Sequence, residues 1–197
     1  MSLPPDSVIV IEKLPMFVGR GGEKLLAALE FFGVDPASRI CLDVGASTGG
    51  FTDCLLQKGA EKVYAVENGK NQLAESLIGN PRVVSMEETD IRTAVICGAI
   101  SLAVVDVSFI SLKLVLVPVK ALLDKADVIC LVKPQFEAGR GKVSKSGVVR
   151  DEKTRQRVLA EIIDFAEGIG LSHHGTLPYP KTPQRNKNQE YLIHLKT

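Results

Sequence analysis

Tryptophan is absent and aromatic residues make up only 5% of the 197-residue chain, so there is little material for an aromatic-anchored helix lying in a membrane surface. Long apolar runs are missing too. The longest candidate, Ile110 to Leu123, is broken by Lys113, Pro118 and Lys120 and falls short of the roughly 20 residues a spanning helix needs. The opening residues lack a secretory-signal pattern. Cysteine is limited to Cys41, Cys54, Cys97 and Cys130, with no Cys-x-x-Cys pair. These read as small buried hydrophobes of a reduced, cytoplasmic protein, not as a disulfide framework. His173, His174 and His194 are not grouped with carboxylates or thiols at ligand spacings, which argues against a metal. A charge imbalance is lacking as well: 24 basic against 23 acidic residues leave a formal +1, so bulk charge announces no nucleic-acid partner.

What is present is a length suited to one domain with a substantial core. Residues 1–20 show only a short apolar alternation followed by Gly19-Arg20-Gly21-Gly22 and read as a linker or the remnant of a missing N-terminal domain. Met1-Ser2-Leu3 ahead of Pro4-Pro5 reads as an expression scar on a trimmed chain. From Glu23, Leu25, Leu26, Ala28, Leu29 and Phe32 recur at helical spacing until Gly33. Short β-type runs at 40–44, 62–66, 82–85, 102–105 and 128–132 then alternate with helical stretches at 50–57, 71–78 and 110–123. A Gly-rich basic loop follows over 134–150. The chain closes with a helix over 151–168, capped by Asp151, and two final strands at 171–177 and 190–195. Such alternation predicts an α/β fold over residues 21–197: a mostly parallel seven-stranded sheet with helices on both faces.

Ligands of an open parallel sheet bind beyond the carboxyl ends of its strands. Those ends carry Asp43, Glu67, Asp106 and Lys133, and the first runs into Gly45-Ala46-Ser47-Thr48-Gly49-Gly50 before a helix. Small residues there let the backbone approach a ligand at a helix N-terminus. Neither Gly-x-Gly-x-x-Gly nor Gly-Lys-Ser/Thr is present, so pyrophosphate and triphosphate are not the natural guests. Glu67 suits the ribose hydroxyls of a nucleoside, and Asp90 an adenine amino group. S-adenosylmethionine, a nucleoside without phosphates, satisfies this pattern.

Five motifs now stand in order: Arg20-Gly21-Gly22-Glu23-Lys24-Leu25, the run Cys41 to Cys54, Asp106-Val107-Ser108-Phe109-Ile110-Ser111-Leu112, Val132-Lys133-Pro134-Gln135-Phe136-Glu137, and Gly147-Val148-Val149-Arg150-Asp151. Together they closely resemble the TlyA family of FtsJ-like ribose methyltransferases, often catalogued as hemolysins. The resemblance implies a Rossmann-like methyltransferase fold, 2′-O-methylation of ribosomal RNA from S-adenosylmethionine, and a Lys-Asp-Lys-Glu active site. The matching residues are Lys24, Asp106, Lys133 and Glu190. Lys133 would orient the hydroxyl and accept its proton, Asp106 would hold Lys133 and face the methyl group, and Lys24 and Glu190 would orient the ribose. Two departures are visible. The chain is expected to lack the small RNA-binding domain with which family members usually begin, and Glu67 stands where the family usually has Asp. Arg140, Lys142, Lys145 and Arg150, free of intervening acids, are the expected RNA contacts. The rival readings are a membrane-active hemolysin and a ribosome-associated module that binds cofactor without catalysis.

Overall fold

The computed structural model describes residues 15–139, 141–144, 146–182, 184 and 187–197. In chain order the elements are α1 (Gly21–Phe32), β1 (Ile40–Val44), α2 (Gly50–Gln57), β2 (Lys62–Val66), α3 (Glu75–Ile78), β3 (Val83–Met86), β4 (Ile100–Val105), α4 (Leu112–Ala121), β5 (Leu123–Val132), α5 (Pro134–Glu137), α6 (Glu152–Gly168), β6 (Ser172–Tyr179) and β7 (Glu190–Lys196). The strands form one sheet in the order β3-β2-β1-β4-β5-β7-β6, parallel except for β7, which runs against both β5 and β6.

Period-two alternation along the central strands divides the core. Leu42, Val44, Ala103 and Val105 point to the face covered by α4 and α6, where they meet Leu112, Val115, Val158 and Ile162. Cys41, Leu102 and Val104 point to the other face, against Leu25 and Leu29 of α1 and Phe51, Cys54 and Leu55 of α2. Helix starts follow local chemistry. Asp151 caps α6 as expected, accepting the Thr154 N–H at 3.0 Å, and Ser111 caps α4 by accepting from the Lys113 N–H.

Several expected boundaries move. The helix expected over 71–78 is helical only from Glu75. Asn71 takes φ +52, and the Asn71, Gln72 and Leu73 N–H groups all donate to the Glu87 carboxylate, which replaces a helical turn. The stretch expected as one helix over 110–123 ends at Ala121, and Leu123 already opens β5, because the apolar run serves two elements in succession. Within the expected 134–150 loop, Pro134 starts the short α5. Of the expected linker over 1–20, residues 1–14 lie outside the described residues; just ahead of α1, Phe17 is buried over Gly22, and the Val18 N–H donates to Asp53 Oδ2. Three cysteines are buried as expected, with burial pushing the Cys41 and Cys54 thiols up to about 12, but Cys97 is exposed. No helix among the described residues is long and apolar enough to cross a membrane.

Candidate active site

Strand order reverses between β1 and β4, parallel neighbours that pair from Cys41↔Leu102 to Val44↔Val105. A crevice opens beyond their carboxyl ends. The Gly45–Gly50 loop lines it because two glycines permit the approach. Gly45 has φ +82, and a Cβ there would lie 2.5 Å from the Asp106 carbonyl oxygen. Gly49 opens α2 at φ +92, where a Cβ would meet Leu77 Cδ1 at 2.3 Å. The Gly45 and Ala46 N–H groups both donate to the Val66 carbonyl, folding the loop toward β2. Ser47, in the left-handed region at φ +49, donates its N–H to Glu67 Oε2 at 2.9 Å.

Two depressions share this loop. One, of about 550 Å³, is lined by Gly45, Ser47, Glu67, Asp90, Asp106 and Phe109. The other, of about 1100 Å³, is lined by Lys24, Asp106, Lys133 and Glu190, with the Gly45–Thr48 backbone along one wall. Gly45, Ser47, Asp106 and Ser108 border both. The four residues of the expected Lys-Asp-Lys-Glu set therefore meet in one depression, although Lys24 and Glu190 lie 166 positions apart.

They meet as two ion pairs. Lys24 Nζ donates to Glu190 Oε2 at 2.5 Å, both side chains being about one-fifth exposed. Lys133 Nζ stands 2.5 Å from Asp106 Oδ1 and donates to Ser108 Oγ at 2.8 Å; the Asp106 contact lacks hydrogen-bond alignment, so it is charge proximity that holds it. Lys133 is the better shielded partner at 11% side-chain exposure.

Two expected cofactor contacts are placed differently. Asp43 does not reach the rim: it is fully buried below the loop, accepts the Thr52 hydroxyl at 2.7 Å, and lines neither depression. Its place in β1 turns it under α2, since strand neighbours alternate faces and Leu42 and Val44 take the other one. Burial pushes its carboxyl up to about 7; the Thr52 hydrogen bond opposes this, and the charges of Asp106 and Glu67 add to it. Asp90 does line the smaller depression, but Arg92 occupies both its oxygens at 2.5–3.0 Å and holds its carboxyl down to about 2. Glu67 accepts from the Ser47 and Gly69 N–H groups while bordering the depression.

Of the basic loop, Arg140 and Lys145 lie outside the described residues, while Lys142 and Arg150 are exposed and border neither depression. Among the described residues, the cations that line the larger one besides Lys24 and Lys133 are Arg20 and Lys187, which charge counting along the chain passed over. Ser108 was also missed, because strand-end reasoning stops at Asp106. Phe109 is 90% exposed at φ +65 and rests against Phe136 with ring centres 4.9 Å apart; a large apolar ring held outward beside a site was signalled only by its place in a quoted motif. Among the described residues no group of three or more His, Cys, Asp or Glu could hold a metal ion.

Comparison with known proteins places this geometry. A family model described as FtsJ-like methyltransferase matches residues 17–197. The chain is 42% identical over 193 residues to a protein of Mycobacterium tuberculosis named 16S/23S rRNA (cytidine-2′-O)-methyltransferase TlyA, covering 96% of this chain and 72% of that one. It is also 42% identical over 194 residues to hemolysin A of Brachyspira hyodysenteriae, covering 96% of this chain and 80% of the relative. A solved structure from Lactococcus lactis, provisionally named a hemolysin, superposes with a TM-score of 0.87 at 43% identity, covering 93% of this chain and 89% of the other.

Proposed function

Because the chain belongs to the FtsJ-like methyltransferase family, we propose that it carries a methyl group from S-adenosylmethionine to a ribose 2′-hydroxyl of ribosomal RNA. The observation that carries this reading is the junction of the two depressions, where Asp106 and Ser108 border both and Lys133 is held against them. One depression takes the donor and the other the acceptor.

The smaller depression suits a nucleoside-sized donor. Its volume of about 550 Å³ falls in the range of small-molecule sites, its floor is closed by a glycine that no other residue could replace without striking Asp106, and Glu67 offers spare acceptor positions for ribose hydroxyls. When bound, the donor supplies an electrophilic methyl on a sulfonium that loses its charge on transfer. Geometry then governs the rate, since holding reactants in line supplies much of the barrier reduction. Lys133 stands at the boundary to orient the acceptor hydroxyl and, once it has passed its own proton to solvent, to take the hydroxyl's; Asp106 fixes Lys133, and the Lys24–Glu190 pair sets the ribose from the far wall. Asp43 acts beneath the loop as its support, and Asp90 acts together with Arg92.

Arg20 and Lys187, with Lys142 and Arg150 further out, supply phosphate contacts to a chain whose overall charge is near zero. Exposed Phe109 offers a ring on which an unstacked base can rest. In this reading residues 17–197 form the methyltransferase unit and the protein works in the cytoplasm. The deciding experiment is incubation with methyl-labelled S-adenosylmethionine and unmethylated ribosomal subunits, followed by mapping of the label. Label on a ribose 2′-oxygen is expected, with loss of at least 100-fold in turnover in a folded Lys133→Ala variant. Base-methyl label, or unchanged turnover in that variant, overturns the proposal.

A further inference from the structure

We infer that Glu137 is a positioning residue that sets Lys133 and Phe109 by fastening the two motif loops together at their outer end. The inference rests on the methyl-transfer reading above but concerns a residue outside both depressions. The loops are 106–111, between β4 and α4, and the turn from Lys133 into α5. At their inner end they are tied by the Lys133–Asp106 ion pair and the Lys133–Ser108 hydrogen bond, and midway by the Phe109–Phe136 ring contact. At the outer end both ties belong to one carboxylate. Glu137 Oε2 accepts from the Ser111 hydroxyl and Oε1 from the Leu112 N–H, each at 2.7 Å.

The physical sense lies in the start of α4. Its first N–H groups have no partners within the helix and the positive end of its dipole faces Glu137, so a carboxylate there is held in place and holds in turn. Ser111 is fixed twice, donating to Glu137 while accepting from the Lys113 N–H. Only two residues, Phe109 and Ile110, separate Ser111 from Ser108, the partner of Lys133, and Phe109 takes φ +65, a conformation unfavourable for a phenylalanine. A strained residue keeps such a conformation only while its surroundings enforce it. Without Glu137 the Leu112 N–H loses its acceptor, the loop relaxes toward ordinary φ at Phe109, and Ser108 withdraws from Lys133.

The test compares Glu137→Ala with Glu137→Gln. The amide oxygen of Gln can still accept the Leu112 N–H, and its NH₂ can donate to the Ser111 oxygen, so the fastening survives without the charge. In steady-state methyl transfer to ribosomal subunits, Glu137→Ala is expected to lose 10- to 100-fold in kcat with KM for the subunit within about threefold, while Glu137→Gln stays within about threefold of wild type in both. Hydrogen exchange of the peptide spanning 106–113 should quicken in Glu137→Ala and not in Glu137→Gln. Exchange is read without any substrate, so it tests the fastening even if the wild-type protein transfers nothing to ribosomal subunits, a result that would overturn the function instead. Wild-type kcat in a folded Glu137→Ala, unchanged exchange, or a Glu137→Gln variant as impaired as Ala overturns the inference. Should Glu137→Ala not fold, Ser111→Ala removes one of the two bonds and is expected to lose a few-fold in kcat; wild-type kcat there would overturn it equally.

Discussion

Replacing Gly45 by alanine tests the cradle most directly, because its effect can be worked out from position alone. At φ +82 an alanine is held in the left-handed region at a cost of about 1–2 kcal/mol. Its Cβ would also lie 2.5 Å from the Asp106 carbonyl oxygen, which is backbone and must retreat by about 0.9 Å to reach ordinary contact. That retreat stretches the Asp106 N–H to Val44 carbonyl bond, now 2.9 Å, whose loss is worth about 1 kcal/mol. The sum is about 2–3 kcal/mol, or a fall in Tm of roughly 4–12 °C for a chain of this size. Gly33 is the matched control. It has φ +66 but nothing within 4 Å of the position a Cβ would take, so alanine there bears the conformational term alone, a fall of roughly 2–8 °C. Thermal unfolding of both variants, with calorimetric titration of S-adenosylmethionine, separates strain from collision. Gly45→Ala should be the less stable of the two and should lose cofactor affinity at least tenfold, while Gly33→Ala binds normally. Equal Tm values with equal affinities would refute the claim that Gly45 is required by the closeness of β4.

Asp43 should leave a mark on stability against pH. Its carboxyl is raised to about 7 in the fold against 3.8 for an unperturbed group, so between those values the folded state keeps a proton that the unfolded chain has released. This contribution is complete below about pH 4, falls as pH rises, by up to about tenfold in the folding equilibrium per unit, and levels off above about 7. Asp43→Asn should flatten chemical-denaturation midpoints over that window; an unaltered slope would show that the carboxyl titrates normally. For RNA contact, Arg20→Ala/Lys187→Ala should weaken binding to ribosomal subunits and reduce the slope of log affinity against log salt by about 1–2, whereas an unchanged slope would remove both residues from the interface.

How far the sequence disclosed these features depended on how local their causes are. The cradle was legible because its requirements are met within a few residues: a strand, small residues at Gly45 and Gly49, and a helix. Asp43 was misplaced for an equally local reason. A strand end was treated as one position, whereas the alternation of faces sends Val44 and Asp43 in opposite directions, and the carboxylate goes under α2. The helix expected from Asn71 was lost to Glu87, a partner distant enough in sequence that periodicity carries no trace of it. Lys24 and Glu190 were found through motif resemblance alone. No spacing rule connects a lysine before the first strand with a glutamate at the start of the last.

That last pairing bears on how the proposed donor and acceptor sides are divided. The cradle is made by β1, β2 and β4, adjacent parallel strands whose carboxyl ends lie together whatever the chain ends do. The acceptor wall has no such support. Lys24 comes from α1, outside the sheet, and Glu190 from β7, the strand that runs antiparallel between β5 and β6, so their contact exists only when α1 and β7 have both docked. Lys133 mediates between the two halves, rising from β5, which pairs with β4 of the cradle on one edge and with β7 of the acceptor wall on the other. A change that loosens β7 or α1 should therefore reach the acceptor hydroxyl through Lys24 and Glu190 while leaving the donor's seat intact.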